Sequence, residues 1–176
     1  MSARKTALDV LIACRKQGAW SNGVLKDYIA RDKLDRRDAA LATRLSYGVQ
    51  QHRALLDFFL AQLLTGKVKD LHPVVRDILH LGLYQIYELD KIPDSAAVNE
   101  SVLLAKKYCR FQPKMAGLVN GVLRNAVRTK GTLKMPDSLA VRYSHPQKLI
   151  DALEKDLGSE VLEPMLAANN DIPLTV

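Results

Sequence analysis

The sequence is poor in the residues that build metal and redox sites. It has two cysteines and four histidines, and no histidine has a His or Cys at a metal-pair spacing of three or four residues. Cys14 falls on the apolar face of a predicted helix and is interpreted as a core residue. Cys109 has cations nearby that could lower its pKa, but no base or Pro-Cys pair accompanies it. We therefore predict no metal site, no disulfide framework and no catalytic residue.

Long apolar runs and nucleotide-binding loops are also missing. The most apolar stretch, residues 54–64, contains Asp57 and Gln62, whereas a membrane span needs about 18 uninterrupted residues. The N-terminus lacks the apolar core of a signal peptide. Neither G-x-G-x-x-G nor G-x-x-x-x-G-K-[ST] occurs, which argues against a freestanding enzyme. Since 48% of residues are hydrophobic, disorder is excluded, and we expect a cytoplasmic protein without a membrane partner.

What the sequence does have is an uneven charge distribution. Residues 135–176 hold three basic and seven acidic residues. Residues 101–134 hold no acidic residue and eight basic ones: Lys106, Lys107, Arg110, Lys114, Arg124, Arg128, Lys130 and Lys134. Such a block favours an anionic partner, although lysines that merely solvate a helix face would give the same count.

Apolar residues recur with a period near 3.6 throughout, which predicts an all-α fold. The helix opened by Pro73 is apolar on all sides, as expected at the centre of a bundle. Gly131, Pro136 and Asp137 indicate a loop over 131–137, between a bundle of residues 1–130 and a helical linker over 138–176. The last residues read like the opening of a strand, so we expect the chain to be cut from a longer protein.

The predicted helix over residues 114–128 has an unusual polar face. Its apolar side chains cover one arc of about 140°. Lys114, Gly117, Gly121, Arg124 and Arg128 fall on the opposite side. Each glycine costs about 1 kcal/mol relative to alanine in a helix, so a close neighbour is expected. That neighbour is either a phosphate backbone or another helix, and the sequence leaves both open.

Further candidates lie in other helices. Arg4 and Lys5, at the start of the first helix, are interpreted as flexible terminal cations suited to phosphate contacts, with a solvated helix end as the alternative. Asn99 and Asn120 sit within predicted helices, where asparagine is a poor helix former. We expect buried side chains there that bond a neighbouring backbone. His72 and His145 each precede a proline at a helix start and are interpreted as caps, and His80 as a hydrogen-bonded core residue.

Several segments together resemble the transcription antitermination protein NusB. They are RKTAL at residues 4–8, AAVNESVLLAK at 96–106 and LVNGVLR at 118–124. ILHLGLYQ at 78–85, DRRDAALA at 35–42 and the arginine that ends the third motif resemble more closely the NusB-like part of the Sun (RsmB) family of ribosomal RNA cytosine-5 methyltransferases. RYSHP at 142–146 and ANNDIPLTV at 168–176 resemble the linker that leads into that family's catalytic part.

The resemblance implies an RNA-binding, substrate-recognition domain of an S-adenosylmethionine-dependent small-subunit ribosomal RNA methyltransferase. RNA contacts are then expected from Arg4, Lys5, Lys106, Lys107, Lys114, Gly117, Gly121, Arg124 and Arg128. S-adenosylmethionine would belong to the longer parent, since no cofactor motif matches here. The implied partners are ribosomal RNA and the parent's own catalytic domain. The alternative is a freestanding NusB-like antitermination or protein-interaction module, which docks a partner protein on a helical face.

Overall fold

A computed structural model describes residues 2–18 and 22–171. These residues form no strand, which confirms the all-α prediction, and the strand-like residues 172–176 lie outside the described range. The helices are α1 Ala3–Gln17, α2 Asn22–Asp32, α3 Arg36–Gln51, α4 Arg53–Leu63, α5 Pro73–Glu88, α6 Asp94–Tyr108, α7 Lys114–Arg128, α8 Leu139–Arg142, α9 Gln147–Leu157 and α10 Ser159–Asn169. The sequence did not reveal a short 3-10 turn at Val68–Asp70.

Local capping chemistry sets several helix ends. Gly18 ends α1 with a φ of 71°, a left-handed conformation that glycine adopts without strain. Asp35 Oδ1 accepts from the Asp38 backbone N–H at 2.8 Å and starts α3. His72 Nδ1 accepts from the Val74 N–H at 3.3 Å and caps α5, as predicted. The same prediction for His145 is wrong, because its Nδ1 donates to the Tyr143 carbonyl at 2.6 Å instead of capping α9.

Helix α5 is the centre of the bundle, as its all-round apolar pattern predicted. Eleven of its sixteen residues are buried, and it contacts α1, α3, α4, α6 and α7. His80 lies in this core with its Nε2 2.8 Å from Asp57 Oδ1, which confirms the hydrogen-bonded histidine. Burial alone would raise the pKa of Asp57, but hydrogen bonds from His80 and Arg76 outweigh burial and lower that pKa to about 2.

The last three helices have a small core of their own, made by Ile150, Leu162 and Leu166. This segment is fastened to the bundle by Ser144, whose Oγ accepts from the N–H groups of Ala54 and Leu55 at 3.1 and 3.2 Å. Ser144 therefore caps the N-terminus of α4 from a position 90 residues away. The boundary at residues 131–137 stays a prediction.

Candidate nucleic-acid interface

Helix α7 has one buried and one exposed face, as its periodicity predicted. Four apolar residues are buried against the bundle: Val119, Val122, Leu123 and Ala126. The exposed face carries Lys114, Gly117, Gly121, Arg124 and Arg128. The face is therefore open to a ligand along the whole helix, about 21 Å at 1.5 Å per residue.

The two glycines of this face pack against no other helix of the described chain. A Cβ placed at Gly117 or Gly121 would have no atom within 4 Å beyond its own helix. Gly48 shows the contrast, because a Cβ there would run into the buried ring of Tyr84. An intramolecular helix contact is thus excluded as the reason for Gly117 and Gly121 within the described residues. Both positions are therefore open to an external partner, either a phosphate backbone or a helix of another molecule.

Helices α6 and α7 form an antiparallel pair joined by the five residues 109–113. This turn brings the last turn of α6 next to the first turn of α7. Four cations at this end are exposed and make no side-chain hydrogen bond or ion pair within the part of the chain that the structure describes: Lys106, Lys107, Arg110 and Lys114. We call them the hairpin-end cations. Uncompensated cations of this kind are available to phosphates.

The other cations of the basic block differ in their pairing. Arg124 is exposed and equally unpaired within the described residues. Arg128 is exposed and donates only to Asn125 Oδ1 at 3.2 Å. Lys130 forms an ion pair with Asp94 at 3.3 Å. Arg124 and Arg128 are therefore the available cations at the far end of α7.

Arg4 and Lys5 are not the free cations that the sequence suggested, and that expectation is wrong. Arg4 Nε donates to Gln85 Oε1 at 2.6 Å. Lys5 Nζ lies 2.7 Å from Asp9 Oδ2 and 3.6 Å from Asp32 Oδ2, and its side chain is only 15% exposed. Lys5 is neutralised within the bundle, whereas Arg4 is half-buried and bonded to a neutral amide. RNA contact by these two residues stays a prediction and is not part of the function proposed below.

The network around Lys5 was missed by sequence reasoning. Asp32 is buried and accepts from Thr6 Oγ1 and from Arg31 Nε, both at 2.7 Å. The Arg31 hydrogen bond, helped by Thr6 and Lys5, holds the pKa of Asp32 well below its usual range. Tyr108 donates to Asp9 Oδ1 at 2.6 Å and ties α6 to α1. The Thr6–Asp32 and Tyr108–Asp9 bonds join residues 26 and 99 apart in the chain, and no local sequence pattern indicates them.

The prediction that Asn99 and Asn120 have buried, hydrogen-bonded side chains is also wrong. Asn99 is exposed and Asn120 is half-buried. Neither side chain makes a hydrogen bond within residues 2–18 and 22–171. Asn99 instead lies on the outer surface of α6.

An exposed aromatic pair stands at the same end of the hairpin as the hairpin-end cations. Phe111, in the α6–α7 turn, is 57% exposed, and its ring centroid lies 4.9 Å from that of His72 with an interplanar angle of 50°. Sequence reasoning missed Phe111. Its signal was an aromatic residue inside a block of cations without acidic residues.

The described residues do not support a reactive cysteine or a metal site. Cys109 is buried, and burial raises the pKa of its thiol, against the lowering that nearby cations suggested. Among the described residues, no group of three or more His, Cys, Asp or Glu side chains is placed to hold a metal ion. They also contain no helix that is both long and apolar enough to cross a bilayer.

Comparison with known proteins identifies the family. The NusB family profile matches residues 1–128. The chain therefore belongs to the NusB family. The transcription antitermination protein NusB of a Nocardioides species is 33% identical over 132 residues, covering 74% of this chain and 95% of that protein.

Longer relatives match beyond the NusB region. The probable ribosomal RNA small subunit methyltransferase B of Bacillus subtilis is 36% identical over 92% of this chain and 37% of its own length. The ribosomal RNA small subunit methyltransferase B of Pseudomonas putida is 36% identical over 98% of this chain and 39% of its own length. The chain thus spans about two fifths of these relatives, and both resemblances stated from the motifs are confirmed.

One solved structure shares the fold. A chain in "Crystal Structure of a Plectonemic RNA Supercoil" superposes with a TM-score of 0.67 over 75% of this chain and 96% of that one, at 24% identity. At that identity the likeness supports the helical fold alone.

Proposed function

We propose that this chain is the RNA-binding, substrate-recognition part of an S-adenosylmethionine-dependent ribosomal RNA cytosine-5 methyltransferase. The observation that carries the proposal is the α6–α7 hairpin. Its hairpin-end cations, with Arg124 and Arg128 on the open face of α7, have no carboxylate to neutralise them in the described chain. Phosphate contacts by such cations supply most of the sequence-independent affinity for nucleic acid.

The glycines of α7 fit the same function. Gly117 and Gly121 leave the surface between Lys114 and Arg124 without side chains. A ribose–phosphate backbone can approach the helix closely there, with arginine guanidinium groups as fork-shaped donors to phosphate oxygens. The proposed interface therefore consists of Lys106, Lys107, Arg110, Lys114, Gly117, Gly121, Arg124 and Arg128.

The residues after 128 favour the methyltransferase over the alternative. The methyltransferase relatives match 92% and 98% of this chain, whereas the NusB relative matches 74%. The match to the longer proteins therefore extends into the segment that forms α8–α10 in this chain. The longer match supports the proposal that this chain is one part of a methyltransferase and docks against the methyltransferase domain of the parent. It argues against a freestanding antitermination or protein-interaction module.

The described residues do not fit S-adenosylmethionine themselves. They contain no strand, and so no strand–glycine loop–helix unit that could cradle a nucleotide. No step of methyl transfer is assigned to them. Their part is to bind and orient the RNA, and the coding sequence beyond codon 176 tests whether a methyltransferase domain with a Pro-Cys pair follows.

Fluorescence anisotropy with a labelled fragment of small-subunit ribosomal RNA tests the RNA-binding proposal. We expect the logarithm of the binding constant to fall linearly with the logarithm of the salt concentration, since each neutralised phosphate releases counterions. Changing Arg124 and Arg128 together to Glu should abolish most binding. It should barely alter the thermal unfolding midpoint, because both side chains are exposed.

A matched control is available on α9. Lys148 and Lys155 are exposed, and reversing both to Glu changes the net charge by the same amount away from the hairpin. This variant should retain most of the affinity. Equal losses in the two variants would mean that only net charge matters, and RNA binding by the Arg124/Arg128 reversal as strong as that of the parent would refute the proposed interface.

A further inference from the structure

Phe111 and His72 form an exposed aromatic pair at the turn end of the α6–α7 hairpin. Phe111 lies in the hairpin turn and is 57% exposed, the highest value among the exposed large apolar side chains of the described residues. It touches the His72 ring at a centroid distance of 4.9 Å. His72 is itself exposed, so the pair lies at the surface rather than filling a cavity.

The His72 ring is held in place by its capping role. Its Nδ1 accepts from the Val74 N–H at 3.3 Å, at the N-terminus of α5. An accepting Nδ1 in a neutral imidazole leaves the proton on Nε2. The ring is thus anchored to a rigid helix in one tautomer, and it braces Phe111 from one side.

Cations flank the Phe111 side of this pair, whereas the exposed Asp70 lies two residues before His72. Arg110 precedes Phe111 and Lys114 begins the next helix, and both are exposed and unpaired within the described residues. Residues 101–134 contain no acidic side chain. An exposed aromatic face among uncompensated cations is the combination that binds single-stranded nucleic acid, by base stacking and by phosphate contacts.

We propose that Phe111, braced by His72, is a stacking platform for one unpaired base of single-stranded RNA, whose flanking phosphates are held by Arg110 and Lys114. This rests on the proposed function and adds to it a preference for single-stranded over duplex RNA. In a duplex the bases are stacked on one another and offer no free face to a side chain.

The test compares a single-stranded RNA oligonucleotide with a duplex of the same sequence, by fluorescence anisotropy with the intact 176-residue chain. Phe111→Ala should weaken single-stranded binding by about 5- to 150-fold and leave duplex binding nearly unchanged. Phe111→Tyr should restore binding, whereas Phe111→Leu, which keeps apolar area without a π face, should not. Leu103→Ala is the matched control, since Leu103 is 56% exposed on the same hairpin.

Salt dependence separates stacking from electrostatics. Phe111→Ala leaves every phosphate neutralised, so the slope of log K against log salt should be unchanged. Arg110→Gln with Lys114→Gln should reduce that slope by about 0.7 for each phosphate that is no longer neutralised. His72→Asn, which retains a capping side chain but removes the ring, should weaken single-stranded binding less than Phe111→Ala does, at an unchanged thermal midpoint.

The outcomes distinguish this inference from the proposed function. If Phe111→Ala weakens single-stranded and duplex binding equally, or weakens neither, the stacking platform is refuted while RNA binding by the hairpin stands. If the parent chain binds neither RNA, the proposed function fails and the stacking platform fails with it.

Discussion

Replacing Gly117 and Gly121 together with alanine should stabilise the protein and weaken its binding to RNA. Both glycines lie inside α7, and a Cβ at either position meets no atom within 4 Å beyond its own helix. Alanine is favoured over glycine in a helix interior by about 0.5–1 kcal/mol, so the pair should add roughly 1–2 kcal/mol to the free energy of unfolding. For a chain of this size, that raises the melting temperature by roughly 2–8 °C.

Thermal and urea unfolding, with RNA anisotropy on the same samples, measure both effects. Gly48→Ala is the matched control. Its new methyl group would clash with the buried Tyr84 ring, so overpacking should cost about 1–3 kcal/mol despite the gain in helix propensity. Both variants add methyl groups to helical glycines, but they should change the free energy of unfolding in opposite directions.

Two results would refute the reasoning behind the double alanine variant. A fall in stability would mean that α7 needs its glycines for packing, against the open space around them. Increased stability with unchanged RNA affinity would mean that no backbone approaches the helix closely at these positions. The glycines would then have no part in the proposed interface.

Two further predictions concern stability. Asn120→Ala should change the free energy of unfolding by no more than about 0.5 kcal/mol in urea titrations, because the half-buried Asn120 side chain makes no hydrogen bond in the described chain. A decrease of roughly 2 kcal/mol would instead indicate that the amide is buried and hydrogen-bonded. Asp57 has a pKa of about 2 when folded, below the ordinary aspartate value of 3.8, so the stability that it contributes is present above about pH 4 and is lost as the pH falls towards 2. The parent should therefore lose about 2 kcal/mol more than Asp57→Asn between about pH 5 and pH 2, and parallel pH profiles would contradict the pairing of Asp57 with His80 and Arg76.

The fold was largely predictable because its signals are local. Gly18, Asp35 and Pro73 act through the backbone conformation or hydrogen bonds of their own helix ends, so their effect can be read within a few residues. The exposed face of α7 was predictable for the same reason, since a period of 3.6 separates its apolar and basic sides. The 3-10 turn at Val68–Asp70 carries no such signal and was missed.

The contacts that could not be predicted join residues far apart in the chain. Arg4 and Gln85 are 81 residues apart, and Tyr108 and Asp9 are 99 apart. Helical periodicity tells which face a side chain occupies, but not which distant carboxylate or amide it meets. For that reason Arg4 resembles a free cation in the sequence, although the fold places it against Gln85. Lys5 is different, because its partner Asp9 lies four residues further along the same helix, and this local pairing was overlooked.

The prediction for the asparagines was wrong for a different physical reason. The sequence predicts burial of Asn99 because asparagine is a poor helix former, yet the penalty is well below 1 kcal/mol per residue. A cost that small needs no buried hydrogen bond to offset it. Asn99 is exposed beside Leu103 on the outer face of α6, where helix propensity carries no information about contacts.

The pairing of charges, more than their number, defines the candidate interface. Lys5 of α1 is neutralised by Asp9 and Asp32 within the bundle, whereas the hairpin-end cations lie in a segment that has no acidic residue at all. The seven acidic residues after 134 belong to the segment that Ser144 fastens to α4. An anionic ligand is attracted by one segment and repelled by the other. Because screening at physiological salt limits this field to about 8 Å, the acidic segment can orient an approaching RNA but only direct contacts with the hairpin can hold it. Charge reversal at Arg124 and Arg128 should therefore raise the dissociation rate and remove most of the affinity. The same change at Lys148 and Lys155 should lower chiefly the association rate, by an amount small enough to leave most of the affinity.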